Sequence, residues 1–198
     1  MRLRLLLALL ALAAALLAAS DANERLTQAA KRSKPGSYAR SWLGEPLYWT
    51  VVGAPGDHPE ALLSEDGALE LGKEVYSIEP FLFVEGARIA ARDTVRRQSL
   101  EEGDLPIPSV HWEHPNARLR VRAFGVANVS WDRARFVGYR VENPQPVPAS
   151  VELWLAIRPM QVLPTWQFLN LTPGFARIRE IRLEGSRVRV NGGLSRRA

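Results

Sequence analysis

The sequence predicts an all-β protein, an antiparallel β-sandwich preceded by a signal-peptide helix. Three observations support this prediction. Beyond residue 41, apolar and polar residues alternate over several short segments, as in strands with one buried face. The 14 Gly and 14 Pro residues are spread without a period, which is typical of many turns. Beyond the N-terminal segment, the sequence shows no convincing pattern for a long helix.

The first 20 residues have the pattern of a secretory signal peptide. Arg2 and Arg4 precede an unbroken Leu/Ala run that ends in small residues around Ala18 and Ser20. This run is shorter than the roughly 20 residues that a membrane-spanning helix needs. We therefore predict a cleaved signal peptide over residues 1–20, with an uncleaved anchor as the alternative. The remainder is expected to be periplasmic or secreted, with membrane contact only through the signal peptide before cleavage.

The net charge and the cysteine content bear on two questions: whether nucleic acid is a partner, and whether disulfide bonds stabilise the fold. Loss of residues 1–20 removes two arginines and no acid, so the formal net charge falls from +5 to +3. Such a small excess does not predict nucleic-acid binding. The chain has no cysteine, so an exported domain would hold its core without disulfides.

The polar residues 21–41 predict a leader between the export signal and a β-sandwich domain at 42–193. The stretch "NERLTQAAKR" within them favours a short helix. We expect a mobile leader, with docking against the sandwich as the alternative. Residues 194–198, "LSRRA", are expected to form a basic tail.

The first half of the domain contains three strand patterns and one polar interruption. "LYWTVV" is followed by "ALLSEDGALEL", in which Asp66-Gly67 predicts a hairpin turn. In "VYSIEPFLFVEG", Pro80 predicts an edge position or a bulge, because proline cannot donate to a ladder. The segment "RDTVRRQSLEEGDLPIPS" is the most polar of the domain and predicts a long surface connection.

The second half predicts two hairpins and a bridge between sheets. "SVHWEHPNARLRVRAFGV" should turn at Pro115-Asn116, and its second arm places arginines opposite apolar residues. "RARFVGYRVEN" and "SVELWLAIRP" predict two more strands. The linker "NPQPVPA" between them is too long for a tight turn, so its prolines favour an extended crossing between sheets. "ARIREIRLEGSRVRVNGG" predicts a closing hairpin that turns at residues 184–186.

Few sequence motifs bear on catalysis or on metal and cofactor binding. In "HWEH", a strand would place His111 and Glu113 on one face and His114 on the other, so no metal site is predicted. The sequence has no G-x-S-x-G pentapeptide and no phosphate-binding glycine motif, so no catalytic residue and no cofactor are predicted. One alternative is a small sugar epimerase or lyase with His111 or Glu113 as its base. Another is an envelope interaction module that binds acidic polymer.

In the envelope-module alternative, the acidic polymer would contact arginines at every second position of one predicted strand: Arg118, Arg120 and Arg122. A different set of residues favours carbohydrate, because tryptophan stacks on sugar rings and its indole N–H bonds to hydroxyl groups. This ligand-binding set consists of Arg158, Gln161, Trp166, Gln167, Asn170, Trp112 and Glu113. The alternative for these side chains is core packing, or fixing a loop by bonds to its backbone.

Several stretches resemble the N-terminal galactose-mutarotase-like supersandwich of bacterial secreted six-hairpin glycosidase-like proteins. They are "LYWTVVG", "LLSEDGALELGK", "YSIEPFLF", "QSLEEGDLPIPSVHWEH", "YRVEN" and "LAIRPMQVLPTWQFLN". The resemblance implies an accessory or sugar-binding module that is noncatalytic by itself. It also implies two partners, a carbohydrate and an (α/α)6 toroid that holds the general acid. We expect this chain to be the sandwich part alone.

Overall fold

A computed structural model describes residues 21–56, 60–72, 74–127, 133–167 and 173–195. The predicted signal peptide lies outside the described residues. Within them the chain forms thirteen β-strands in three antiparallel sheets. No helix in this part of the chain is long and apolar enough to cross a membrane.

The first sheet has six strands. Its strands are β1 (Trp49–Val52), β2 (Ala61–Ser64), β3 (Leu69–Glu70), β4 (Ser77–Val84), β5 (Ala87–Ile89) and β10 (Val151–Arg158). The spatial order is β1-β2-β3-β4-β10, and β5 also pairs with β4. The turn predicted at Asp66-Gly67 joins β2 to β3, and Gly67 has a φ of 87°, which favours glycine. This hairpin is confirmed.

The second sheet is a four-stranded meander. Its strands are β6 (Val95–Glu101), β7 (Leu105–His114), β8 (Ala117–Ala127) and β9 (Arg133–Glu142). The turn at Pro115-Asn116 is confirmed between β7 and β8. The surface connection predicted before it is wrong, because its residues form the β6-β7 hairpin, with Glu102 and Gly103 both at positive φ in the turn.

Pro80 lies in the middle of β4, which is an inner strand of the first sheet. On one side of β4, β3 pairs with residues 77–78 and β5 with residues 82–84. The register of the described strands therefore leaves Pro80 opposite neither of them. The sequence predicted a sheet edge or a bulge here. The structure instead has a gap between two short neighbours, where the missing N–H breaks no ladder.

The hydrophobic core lies between the first and second sheets. Residues from the two sheets form one cluster: Val52, Ala61, Leu63, Leu69, Leu82, Val84, Ile89, Val110, Trp112, Ala117, Leu119, Val121 and Ala123. The predicted alternation in β8 is confirmed, because its apolar positions are buried while Arg118, Arg120 and Arg122 face outward. The result is an all-β, sandwich-like architecture.

The linker from β9 to β10 crosses from the second sheet to the first, as predicted. It is bent rather than extended throughout. The side-chain oxygen of Asn143 accepts the backbone N–H of Gln145 at 2.9 Å, and the Asn143 amide donates to the carbonyl of Val147 at 2.7 Å. These local bonds compete with the extended form that the prolines favour.

Residues 21–41 contact the sandwich, which is the docked alternative. Residues 21–32 are helical, and a 3-10 turn spans Arg40–Leu43. Trp42 is buried with Ala30 and Met160. Arg88 of β5 donates to the carbonyl of Pro35 at 2.8 Å and to the hydroxyl of Ser37 at 2.8 Å. These contacts join the leader to the outer side of the first sheet.

A third, small sheet follows the sandwich. It contains β11 (Ile181–Glu184), β12 (Arg187–Val190) and β13 (Gly193–Ser195). The closing hairpin predicted at residues 184–186 is confirmed. Residues 194–195, predicted as the start of a basic tail, instead pair with β12. Residues 196–198 lie outside the described part of the chain.

Candidate functional site

The seven predicted ligand residues do not form one site. Trp112 and Glu113 are consecutive in β7, so their side chains lie on opposite faces of the second sheet. Trp112 is 1% exposed, and its indole N–H donates to the carbonyl of Asp66 at 3.2 Å. Trp112 is therefore a core residue that also fixes the β2-β3 turn, whereas Glu113 faces outward.

Arg158 and Gln161 hold backbone segments in place. The Arg158 guanidinium lies 4.6 Å from the centre of the Tyr38 ring and donates to the carbonyl of Ser37 at 2.8 Å. The Gln161 amide is buried and donates to the carbonyl of Phe175 at 3.0 Å. Both side chains match the loop-fixing alternative.

Two of the remaining predicted residues lie on the loop after β10. Trp166 is 52% exposed. Gln167 is half-buried, and its backbone N–H donates to the carbonyl of Pro164 at 3.1 Å. Asn170 lies outside the described residues. Trp166 is thus the one tryptophan of the predicted set whose side chain is open to solvent in this part of the chain.

Two carboxylates, the half-buried Asp66 and the buried Glu79, border a small cavity at the gap beside Pro80. The cavity measures about 110 Å³, and its lining includes Arg40, Asp66, Glu79, Arg96 and Trp112. Asp66 lies 2.9 Å from the Nε of Arg96 and 3.4 Å from that of Arg40. Ligand pockets are usually roughly 300–1,000 Å³, so this cavity is too small to enclose a sugar ring.

Burial raises the pKa of both carboxyl groups. For Asp66, the nearby Arg96 and Arg40 only partly oppose the effect of desolvation. For Glu79, desolvation outweighs the attraction of Arg158, whose Nε lies 3.6 Å away, and the charge of Asp66 raises the pKa further. Groups with such raised values resemble catalytic acids, but these are held in ion pairs beneath the leader.

A second candidate site is the outer face of the second sheet, which we name the arginine face. It consists of the outward side chains of β6 to β9. The strand register places four basic residues directly side by side across the four strands: Arg97, His111, Arg120 and Arg140. We name these four the basic row. Arg118 and Arg122 flank it on β8.

Three carboxylates share the arginine face. Glu113 contacts Arg97 at 2.9 Å and Arg118 at 2.8 Å. Glu101 contacts Arg120 at 2.7 Å and Arg122 at 3.2 Å. Glu142 contacts Arg140 at 2.7 Å. With the five arginines these give the face a formal charge of +2 when His111 is neutral.

The arginines also set the protonation of their neighbours. The hydrogen bond from Arg97 is the main reason that the pKa of Glu113 is lowered. The pKa of His111 is lowered by desolvation and then by the charges of Arg120 and Arg97. The imidazole Nε2 of His111 lies 2.9 Å from the hydroxyl of Ser99. Glu113 is therefore held as an anion and His111 as a neutral ring near pH 7.

An aromatic pair adjoins the arginines. The rings of Phe124 on β8 and Phe136 on β9 are stacked, with centroids 5.3 Å apart and planes at 17°. Phe136 is 49% exposed. Gly138 lies between Phe136 and Arg140 along the same face of β9, and no atom lies within 4 Å of the position that a Cβ would take there. The missing side chain leaves a notch between a ring and a guanidinium.

Sequence reasoning found part of this face. The alternation in β8 identified Arg118, Arg120 and Arg122, and Glu113 was among the predicted ligand residues. Arg97 was missed because β6 was predicted as a connection. Arg140 and Phe136 were missed because alternation alone does not give the register between β8 and β9.

Comparison with protein-family models, curated proteins and solved structures finds no match for this chain. Within the described residues, no group of three or more His, Cys, Asp or Glu side chains is arranged to hold a metal ion.

Proposed function

We propose that this chain is an exported, noncatalytic β-sandwich that binds carbohydrate as an accessory module of a glycosidase-like system. The proposal rests on one observation, the half-exposed Phe136 stacked on Phe124 beside arginines and carboxylates. Apolar sugar faces stack on aromatic rings, while planar charged groups bond to sugar hydroxyls. The notch at Gly138 gives a sugar ring room to approach.

The chemistry of the arginine face supports binding more than catalysis. Glu113 has a lowered pKa and is bonded to two arginines, so it is a poor proton donor near neutral pH. The carboxylates Asp66 and Glu79 border a cavity that is too small for a sugar ring. A carbohydrate-active partner, such as an (α/α)6 toroid, would supply the catalytic acid.

A glycan array with the purified chain and two variants tests the proposal. Phe136→Ala removes the exposed ring and should weaken glycan binding at least tenfold, which corresponds to about 1.4 kcal/mol. Trp154→Ala is the matched control, because Trp154 is also exposed and pairs with an aromatic ring, Phe83 at 5.3 Å, but lies on the first sheet. This control should bind as the unmodified chain does.

Two results would contradict the proposal. Equal binding by the Phe136→Ala variant would exclude the aromatic pair as the sugar platform. Turnover of a glycan by the purified chain would disprove the noncatalytic role, and loss of that turnover in a His111→Ala variant would favour the epimerase or lyase alternative.

A further inference from the structure

The basic row places two like charges directly opposite each other on neighbouring strands, Arg120 on β8 and Arg140 on β9. Arg97 faces the neutral His111, which in turn faces Arg120. Like charges in directly opposite positions destabilise a sheet. Strands lie about 4.8 Å apart, so the row extends over about 14 Å. The carboxylates Glu101 and Glu142 offset this repulsion in the folded chain. A row of this length is well suited to an anionic ligand with more than one charged group.

The arginines retain hydrogen-bonding capacity beyond their ion pairs. A guanidinium carries five N–H donors, and the contacts with Glu101, Glu113 and Glu142 engage part of them. The two ends of the row are the most open, with the Arg97 side chain 68% exposed and that of Arg140 73% exposed. Planar carboxylate or sulfate groups match the bidentate geometry of these donors.

The surroundings favour a sugar polymer over a nucleic acid. Three carboxylates share the face with the arginines, so a ligand needs hydrogen-bond donors as well as negative charge. A glycan carries several hydroxyl groups on each sugar, which can donate to those carboxylates, whereas a DNA backbone has none. Phe136 and the notch at Gly138 lie next to Arg140, so a sugar ring and its acidic group would have adjacent contacts.

We propose that the basic row makes this chain selective for acidic glycans, whose uronate or sulfate groups bind Arg97, Arg120 and Arg140. This inference rests on the proposed carbohydrate-binding function and specifies its ligand class. Phe136 would stack on the sugar ring, and the basic row would bind the acidic group. Mutation can therefore test the two contributions separately.

Titration calorimetry with matched polymers tests the selectivity. The uronate arm compares polygalacturonate with its methyl ester, and the sulfate arm compares heparin fragments with desulfated ones. We expect at least tenfold tighter binding of the charged member in one arm or both, with a difference that shrinks as NaCl screens the charges. The comparison in which the charged polymer binds more tightly identifies the acidic group as uronate or sulfate.

The double variant Arg97→Gln/Arg140→Gln should remove this preference, so that the charged and the neutral polymer bind it with affinities within twofold of each other. Both positions are exposed, so the thermal unfolding midpoint should stay close to that of the unmodified chain. Arg182→Gln, at an exposed position of β11 on the third sheet, is the matched control and should keep the preference.

The possible failures are distinguishable. Equal affinity for charged and neutral polymers would overturn the acidic selectivity and leave the proposed function intact. Binding of neither polymer would overturn both. Equal competition by a single-stranded oligonucleotide of the same total charge would overturn the assignment to glycans. Retention of the preference by the double variant would overturn the role of the basic row.

Discussion

Gly125 of β8 allows the second sheet to approach the segment that follows β1. A Cβ at this position would lie 2.6 Å from the carbonyl carbon of Gly53 and 2.9 Å from its oxygen. Both atoms belong to the backbone, so the contact cannot be relieved by a side-chain rotation. The close approach therefore depends on the absence of a side chain at residue 125.

We predict that Gly125→Ala lowers the free energy of unfolding by about 1–3 kcal/mol, because the chain must shift to admit the methyl group. Urea denaturation followed by tryptophan fluorescence measures the change. Gly138→Ala on the neighbouring strand is the control, since no atom lies within 4 Å of its added Cβ. Equal stability of the two variants would contradict the prediction.

At the level of single residues, the sequence predicted the face of the sheet on which a side chain lies better than the role of that side chain. Alternation predicted that His111 and Glu113 share one face of β7, but the predicted ligand set also contained Trp112, whose side chain lies on the opposite face. It could not say that the face of Trp112 is the buried one, since a tryptophan suits both a core and a sugar site. Burial by the first sheet decided this, and that sheet is distant in sequence.

At the scale of elements, the helix at residues 21–32 is attached to the loop around residues 173–175. The amide of Asn23 donates to the carbonyl of Pro173 at 2.9 Å, and its oxygen accepts the N–H of Phe175 at 2.7 Å. Residue 23 thus bridges two segments separated by about 150 positions in the chain. This contact is one of those that turn a polar leader into part of the domain.

We predict that Asn23→Ala loosens this attachment, because two backbone groups lose their partner. Each lost bond costs about 1 kcal/mol, and more where the group stays buried. Hydrogen–deuterium exchange should then show faster exchange at residues 173–176 and in the helix. Gln28→Ala is the control, because the Gln28 side chain bonds to Glu24 within the same helix. Unchanged exchange in the Asn23 variant would contradict the prediction.

The strand that sequence analysis missed is also explained at this scale. Most side chains of β6 are exposed, and its one strand neighbour among the described residues is β7. An edge strand without a buried apolar face lacks the alternation that identifies a strand. Pairing with β7, and not its own pattern, makes this segment a strand.

At the scale of the whole molecule, three carboxyl groups of the described residues have raised pKa values because of desolvation: Asp66, Glu70 and Glu79. Glu70 of β3 is fully buried, and its carboxylate accepts the N–H of Val162 at 2.8 Å. Burial raises the pKa of Glu70 from 4.5 to about 7, although the N–H groups of Val162 and Leu163 favour the charged form. Folding therefore increases proton affinity at these sites.

We predict that the free energy of unfolding falls as the pH rises from about 4.5 to about 7. The folded chain holds more protons than the unfolded chain in this range, so the stability present below pH 4.5 is lost through the folded pKa of Glu70. The shift corresponds to about 3 kcal/mol. Urea denaturation at a series of pH values measures this slope.

A Glu70→Gln variant should have a shallower slope, because residue 70 then no longer titrates. The exposed Glu24→Gln is the control and should keep the slope of the unmodified chain. A Glu70→Gln variant with an unchanged slope would show that the pH dependence comes from other groups.

The sequence by itself determined the all-β class, three of the turns and the outward row of arginines on β8, because alternation and turn residues act within a few positions of the chain. Tertiary structure decided which face of each strand is buried, the docking of residues 21–41 and the strand character of β6. It also aligned Arg97, His111, Arg120 and Arg140 in one row. These features depend on register and packing between segments far apart in sequence, which local patterns do not specify.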